Sequence, residues 1–197
     1  MIDFSGVSGL RDEVLLVRDS FGVPHIQASS AADAWFAMGL ACAQDRLFQM
    51  EYDRRRATGQ WAEIAGPAAV PGDVLARRLN ITEAAQADIA VMSAPVRAMF
   101  EAYARGVNEV IGAGNGPAET GHGPAGTGHG PAGTGHGPAE LAGAGIEPWQ
   151  PWHSVAAYKV RHILMGQWQY KLTEAMVLAR AGAEAFGQLD KIGRAHV

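Results

Sequence analysis

The residues with the clearest chemical potential stand near the end of the chain, where Met165, Trp168, Leu172, Ala175 and Ala179 advance by 3, 4, 3 and 4 positions. On a helix that spacing makes one apolar row. Lys171 lies one turn from Trp168 and flanks the same surface. By spacing alone such a row packs a core more often than it walls a pocket, and a lysine beside it lays its stem over apolar neighbours. Other chemistry-bearing side chains read as bland. Ser5, Ser8, Ser20, Ser29, Ser30, Ser93 and Ser154 are internal to a chain that begins at Met1, so none offers its own α-amino group as the base for its hydroxyl. His25 has no serine or cysteine partner in a recognisable pattern. Cys42 is the single cysteine and sits mid-helix, where a small buried hydrophobe is the expected role. His122, His129 and His136 recur with a seven-residue GHGPAGT unit, a spacing that tandem duplication explains better than metal ligation, which uses tighter pairs on ordered elements.

The element most strongly written into the sequence is a helix over Asp33 to Gly66. Phe36, Leu40, Ala43, Leu47, Met50, Ala57, Trp61 and Ile64 are spaced as one buried stripe. Trp35, Met38 and Cys42 add a second apolar row, which predicts a helix enclosed between two layers. Asp45, Arg46, Glu51, Asp53, Arg54, Arg55, Arg56 and Glu63 fall on its other faces. Among them the Glu51/Arg55 pair is worth about 0.2–0.5 kcal/mol if exposed. Before this helix, Glu13 to Asp19 and Gly22 to Ala28 read as two short strands around a tight turn, with Pro24 at an edge or a strand start. After it come Asp73 capping a helix to Leu79, a helix over Thr82 to Met92, and one opened by Pro95 and running to Ile111. From Gly112 to Gly145 the composition falls to Gly, Ala, Pro, Thr and His, which predicts a flexible insertion because it buries too little to offset ordering. A helix entered near Ser154 and a last one over Gly182 to Leu189 follow, ahead of the tail Asp190 to Val197. The expected regions are therefore 1–113 (strands and helical scaffold), 114–145 (insertion) and 146–197 (C-terminal helices).

With 197 residues, 48% hydrophobic and 18% charged, the chain has apolar mass for a core. A net charge of -4 with interleaved arginines and acids leaves no footprint for nucleic acid. No stretch approaches a membrane span, and the first residues lack the layout of a signal peptide. The expected location is cytoplasmic, or periplasmic if a leader was removed.

The ordered set Arg18-Asp19, Gly22-Val23-Pro24-His25-Ile26, Asp33-Ala34, Gly39, Ala43-Gln44-Asp45-Arg46-Leu47, Gln49-Met50-Glu51, Arg54-Arg55, Gly59, Ala62-Glu63 and Gly66 resembles the start of the small (α) chain of the penicillin acylase family. The match is dense from about 14 to 66, looser over 67–113, lost in the insertion, and resumes from Pro148 to Leu189. The resemblance implies an α+β fold: a mostly helical α subunit giving a short strand pair to the four-layer αββα core of an N-terminal-nucleophile hydrolase, completed by a β chain. It implies a heterodimeric amidohydrolase made as one precursor, with the nucleophilic serine first in β and no catalytic residue in this chain. The substrate would be an N-acyl amide: a β-lactam side chain, an acyl-homoserine lactone or an N-acyl amino acid. Met165, Trp168, Lys171 and Leu172 fall where the family places acyl-pocket residues, and a rim lysine there would favour an acyl group ending in a carboxylate. Glu174 matches a glutamate that in some members ligates a structural calcium shared with β; no cofactor is implied for catalysis. The rival from another class is a non-catalytic helical binding or maturation module.

Overall fold

The computed structural model describes residues 10–115, 145–165 and 168–194, the side chains of 113–115, 164–165, 168–169 and 189–194 excepted. The repeat histidines, most of the 114–145 insertion and the end of the tail thus lie outside the described residues. The chain divides into two compact units, Met1–Val160 and Arg161–Val197.

The first unit opens with β1 (Val14–Arg18) and β2 (Pro24–Ala28), paired antiparallel with Val14 opposite Ala28 and Arg18 opposite Pro24. Pro24 takes the first position of its strand, where its missing N–H costs no ladder bond. Alternation puts Val14 and Leu16 inside, both buried, and leaves Leu15 and Val17 exposed. The inner face rests on α1 (Ala31–Thr58).

Helix α1 starts where Ser30 accepts a hydrogen bond from the Asp33 N–H at 3.1 Å and donates to the Asp33 carboxylate at 2.6 Å, a reciprocal cap. Asp33 also accepts from the Arg11 N–H at 2.9 Å, which ties the chain before β1 to the helix. The Ser30 hydroxyl, then the Arg11 N–H, hold the Asp33 carboxyl below the usual carboxylate range. The helix ends at Gly59 rather than continuing to Gly66, and α2 (Ala62–Ala65) is a separate turn. A short 3-10 turn, Pro67–Ala69, leads into α3 (Val70–Arg78), followed by α4 (Ile81–Val91) and α5 (Ala94–Asn115). Asp73 does not cap its own helix. Its carboxylate accepts from the N–H groups of Trp61 and Ala62 at 3.1 and 2.7 Å, capping α2 instead.

The dominant packing is α1 on α5. Two glycines allow it: a Cβ on Gly39 would overlap the Tyr103 carbonyl, and one on Gly106 would overlap the Phe36 carbonyl. Where the helices touch backbone to backbone, Ala43, Leu47, Ala104, Val107 and Ile111 close a core with Trp149. In the second apolar row Trp35 and Cys42 are half-buried, while Met38 is 41% exposed. Cys42 shares a hydrogen bond with Tyr103, whose phenol is pushed up mainly by burial.

Spacing alone assigns the charges of α1 to its outer faces, and here the structure corrects it. Glu51, Asp53, Arg54 and Arg55 are all buried. The helix breaks step at Arg46 (φ −139°, ψ 20°), and beyond that point Leu47 still packs on α5 while Arg54 and Arg55 meet the returning chain at Gly145 and Glu147.

The last two helices are α6 (Pro151–Met165) and α7 (Trp168–Arg194). Helix α6 begins three residues before Ser154, with Pro151 at its first position. Helix α7 absorbs the segment 182–189, with a non-helical Gly182 inside it. Among the described residues no helix is long and apolar enough to cross a membrane.

Candidate functional site

The residues nominated by type and spacing gather around one junction. Met165 is the last residue of α6, and Trp168 is the first of α7; their side chains lie outside the described residues. Lys171, Leu172 and Glu174 occupy the first two turns of α7. Lys171 and Leu172 are exposed and Glu174 is half-buried. Ala175 and Ala179, which continue the row, are exposed too. Tyr170, Leu172, Met176 and Leu178 bare 59, 53, 48 and 43% of their surface. The described part of the row thus presents exposed apolar side chains beside a cation. For calcium the chemistry asks for six to eight oxygens; among the described residues no three His, Cys, Asp or Glu side chains converge on a common point.

The stretch leading into this junction is held at its base by a buried charge network that motif reading misses. Arg54 and Glu51, each with a side chain 1% exposed, form a two-pronged pair: Nε to Oε2 at 2.6 Å and Nη2 to Oε1 at 2.5 Å. Arg55 donates through Nε to Glu51 at 2.7 Å, through Nη1 to Glu63 at 2.7 Å and through Nη2 to the Gly145 carbonyl at 2.8 Å. Arg54 also reaches Glu147 at 3.3 Å. Burial alone would disfavour the Arg54 charge, but the Glu51 hydrogen bonds and then the carboxylates of Glu51, Glu147 and Glu63 outweigh it and hold its pKa above the ordinary value.

At Trp149, four residues past Gly145, the Asn108 amide of α5 grips both backbone groups of one residue. It donates to the Trp149 carbonyl at 3.0 Å and accepts the Trp149 N–H at 2.6 Å. The Trp149 indole donates to the Ser154 hydroxyl at 3.2 Å. His153 accepts the Gln150 N–H on Nδ1 at 3.0 Å, capping α6, with its ring set edgewise to Trp152 and Trp149. Burial, with a smaller contribution from the Arg54 charge, pulls His153 down to about 3, so it is neutral at pH 7. Lys159 of α6 reaches Asp88 of α4 at 2.7 Å.

Two of the described serines and His25 keep structural roles. Ser30 and Ser154 are engaged as described above. His25 lies 3.2 Å from Asp19 on an exposed hairpin, where its hydrogen bond, ahead of those from backbone N–H groups, lowers the Asp19 carboxyl. Among the described residues no serine stands in a triad with a histidine and a carboxylate.

Comparison with known proteins gives a consistent set. Residues 13–193 match the family described as penicillin amidase. The penicillin acylase 2 proenzyme of Pseudomonas sp. (strain SE83) is 38% identical over 178 residues, which are 90% of this chain and 20% of that protein. The acyl-homoserine lactone acylase QuiP of Pseudomonas aeruginosa is 39% identical over 102 residues, 52% of this chain and 12% of the relative. This chain therefore spans at most a fifth of the length of these curated relatives. A solved structure, a thermostable penicillin G acylase from Alcaligenes faecalis, superposes with a TM-score of 0.61 at 25% identity, covering 90% of this chain and 88% of that one.

Proposed function

The chain belongs to the penicillin amidase family, and on that premise we propose that it is the α chain of a two-chain acylase whose nucleophilic serine opens a β chain cut from the same precursor. The observation that carries this reading is a contrast in coverage. The chain matches a solved acylase chain almost end to end, over 88% of it, yet covers only 20% of a relative described as a proenzyme. Two of the described serine hydroxyls are also already engaged, Ser30 in a cap and Ser154 with an indole.

In the proposed reaction the β-chain serine hydroxyl attacks the amide carbonyl carbon. The serine's own α-amine takes the proton and passes it to the leaving amine nitrogen. Fixed donors hold the oxyanion. Water then attacks the acyl ester, releasing a carboxylic acid and restoring the serine. The part of this chain is to wall the acyl site with Met165, Trp168 and Leu172 and to place Lys171 at its rim, which suits an acyl group ending in a carboxylate. The substrate class is an N-acyl amide, of which a β-lactam side chain, an acyl-homoserine lactone and an N-acyl amino acid are the three forms considered. Glu174 would give one oxygen to a structural calcium, the others coming from groups outside the described residues.

The test is to express the whole precursor and sequence the N-termini of its products. The expected result is a second chain beginning with serine, hydrolysis of an N-acyl amide by the complex, and an uncut, inactive product when that serine becomes alanine. Hydrolysis by an uncut polypeptide, or by these 197 residues alone, would overturn it.

A further inference from the structure

The connection between β1 and β2 is more ordered than a five-residue surface turn requires. The Asp19 side chain accepts the N–H groups of both Phe21 and Val23 at 2.9 Å on one oxygen, and its other oxygen meets His25. The backbone closes the same ring: Asp19 N–H to the Val23 carbonyl at 3.1 Å and Gly22 N–H to the Asp19 carbonyl at 3.0 Å. Gly22 turns the chain at φ +81°, where an L side chain is strained. From outside, Arg18 braces the loop through the Gly22 carbonyl at 3.0 Å and Asp45 of α1 at 2.8 Å. Every N–H from Phe21 to Val23 is therefore satisfied, and at the middle of this frame Phe21 is 90% exposed.

A single exposed apolar residue needs no explanation. Here Leu15, Val17, Phe21 and Val23 are all exposed within nine residues, at 38, 38, 90 and 51%, on a two-stranded ribbon that would be marginal by itself. An aromatic side chain held on a stiff loop loses little freedom on docking, which is the property of residues that anchor interfaces. The chemistry of the tip asks for an apolar pocket on a partner. The length of the relatives supplies a candidate: the 178 matched residues are 20% of the proenzyme, so four-fifths of that polypeptide lies outside the matched residues.

We propose that the Asp19–Val23 tip is a preformed docking knob and that Phe21 seats in an apolar pocket on the remainder of the same precursor, the segment that becomes the β chain. The inference rests on the two-chain reading above, and it adds a named anchor to it. The Asp19 carboxylate and the Arg18 brace act as positioning groups: they keep the loop shaped while Phe21 makes the contact.

The experiment replaces Phe21 with the photocrosslinker p-benzoylphenylalanine in the full-length precursor, purifies the product, irradiates it and maps the linked peptide by mass spectrometry. A cross-link to a residue beyond position 197 of the same precursor supports the proposal. A cross-link within residues 1–197, one to a second copy of this chain, or none at all overturns it. The gel before irradiation reports separately whether the precursor was cut, so failure of the two-chain reading is seen independently of where Phe21 links. A second measurement compares Phe21→Ser and Asp19→Ala with Val91→Ser, at a site equally bare at 85% exposure. Phe21→Ser should speed dissociation of the matured chains by about thirty-fold, the scale of an interface anchor, and Asp19→Ala should speed it less, while Val91→Ser leaves it unchanged. Equal rates for Phe21→Ser and Val91→Ser overturn the proposal.

Discussion

Replacing Glu51 with Gln keeps the shape of the side chain and removes one charge from the centre of the buried network. Glu51 accepts three charge-assisted hydrogen bonds, at 2.6, 2.5 and 2.7 Å, from two guanidinium groups whose side chains are 1 and 4% exposed. The glutamine amide still accepts through its oxygen, but its NH2 group now faces N–H donors, so at least one bond becomes a repulsive contact. Both arginines stay charged, and Glu147 beside Arg54 and Glu63 beside Arg55 have side chains 65 and 57% exposed, so they compensate weakly. Removing one partner of a buried ion pair costs about 3–5 kcal/mol, against a total stability of about 5–15 kcal/mol for a domain. The assay is urea unfolding of the full-length protein at low and high salt, with Asp45→Asn as the reference. That substitution breaks the partly exposed Arg18 pair and should cost less than about 1 kcal/mol, shrinking further with salt, whereas the Glu51→Gln loss should be insensitive to salt. The double change Glu51→Leu with Arg54→Leu should recover only part of the loss: it removes one buried pair at little net cost, but Arg55 stays charged and its Nε loses the Glu51 carboxylate. A Glu51→Gln protein within about 1 kcal/mol of the parent, or one with the salt response of Asp45→Asn, would refute the reasoning.

Three further outcomes follow from the same geometry. His153 is neutral in the fold and titrates at about 3, below its unfolded value of about 6.5. Its contribution is therefore intact above about pH 6.5 and drains away as pH falls toward 3, at up to about 1.4 kcal/mol per pH unit. Urea midpoints measured from pH 7 to 4 should show that slope, and His153→Asn, which keeps an acceptor for the Gln150 N–H, should flatten it. Gly106→Ala should destabilise by about 1–3 kcal/mol despite a helix-propensity gain of about 1, because the methyl group meets the Phe36 backbone; a calorimetric melt unchanged from the parent would show that α1 and α5 can separate freely. Lys171→Met should lower kcat/KM for an amide with an anionic acyl group by about ten-fold or more while sparing a neutral analogue of equal length, and equal effects on both substrates would remove Lys171 from the specificity site.

How much of this was legible in the sequence depends on whether a feature is local. The hairpin, the entry to α1, the helices α3 to α5 and the start of α6 are written in spacing and in punctuating Gly, Pro and Ser residues, and they appear within a few residues of where those signals put them; the end of α6 at Met165, which splits the row 165–179 between two helices, does not. The reciprocal Ser30/Asp33 cap was there to be read as S-x-x-D. The partner of Asp73 was not, because a carboxylate in a first turn looks like its own helix's cap until another helix start is folded against it. The α6–α7 junction is similar: spacing puts Trp168 and Leu172 in a row with Lys171 beside it, the resemblance alone nominates them for a pocket, and the structure adds that Leu172 is half bare.

The buried arginines are the instructive error, for the signal was present as a gap. The apolar stripe of α1 runs 36, 40, 43, 47, 50 and then jumps to 57; the missing member at helical spacing is 54, so Arg54 stands where a core residue belongs. A charge placed in a core stripe is stable only if opposite charge and hydrogen-bond acceptors are brought to it. One such acceptor, Glu51, is local. The other, Glu147, lies 93 residues away in sequence, on the far side of the insertion, and the neighbouring Arg55 reaches the same segment through the Gly145 carbonyl, 90 residues from it. An arginine in that position therefore specifies more than a helix face: it demands that one particular returning segment dock there, and an apolar residue, which accepts any apolar neighbour, could not have made that demand.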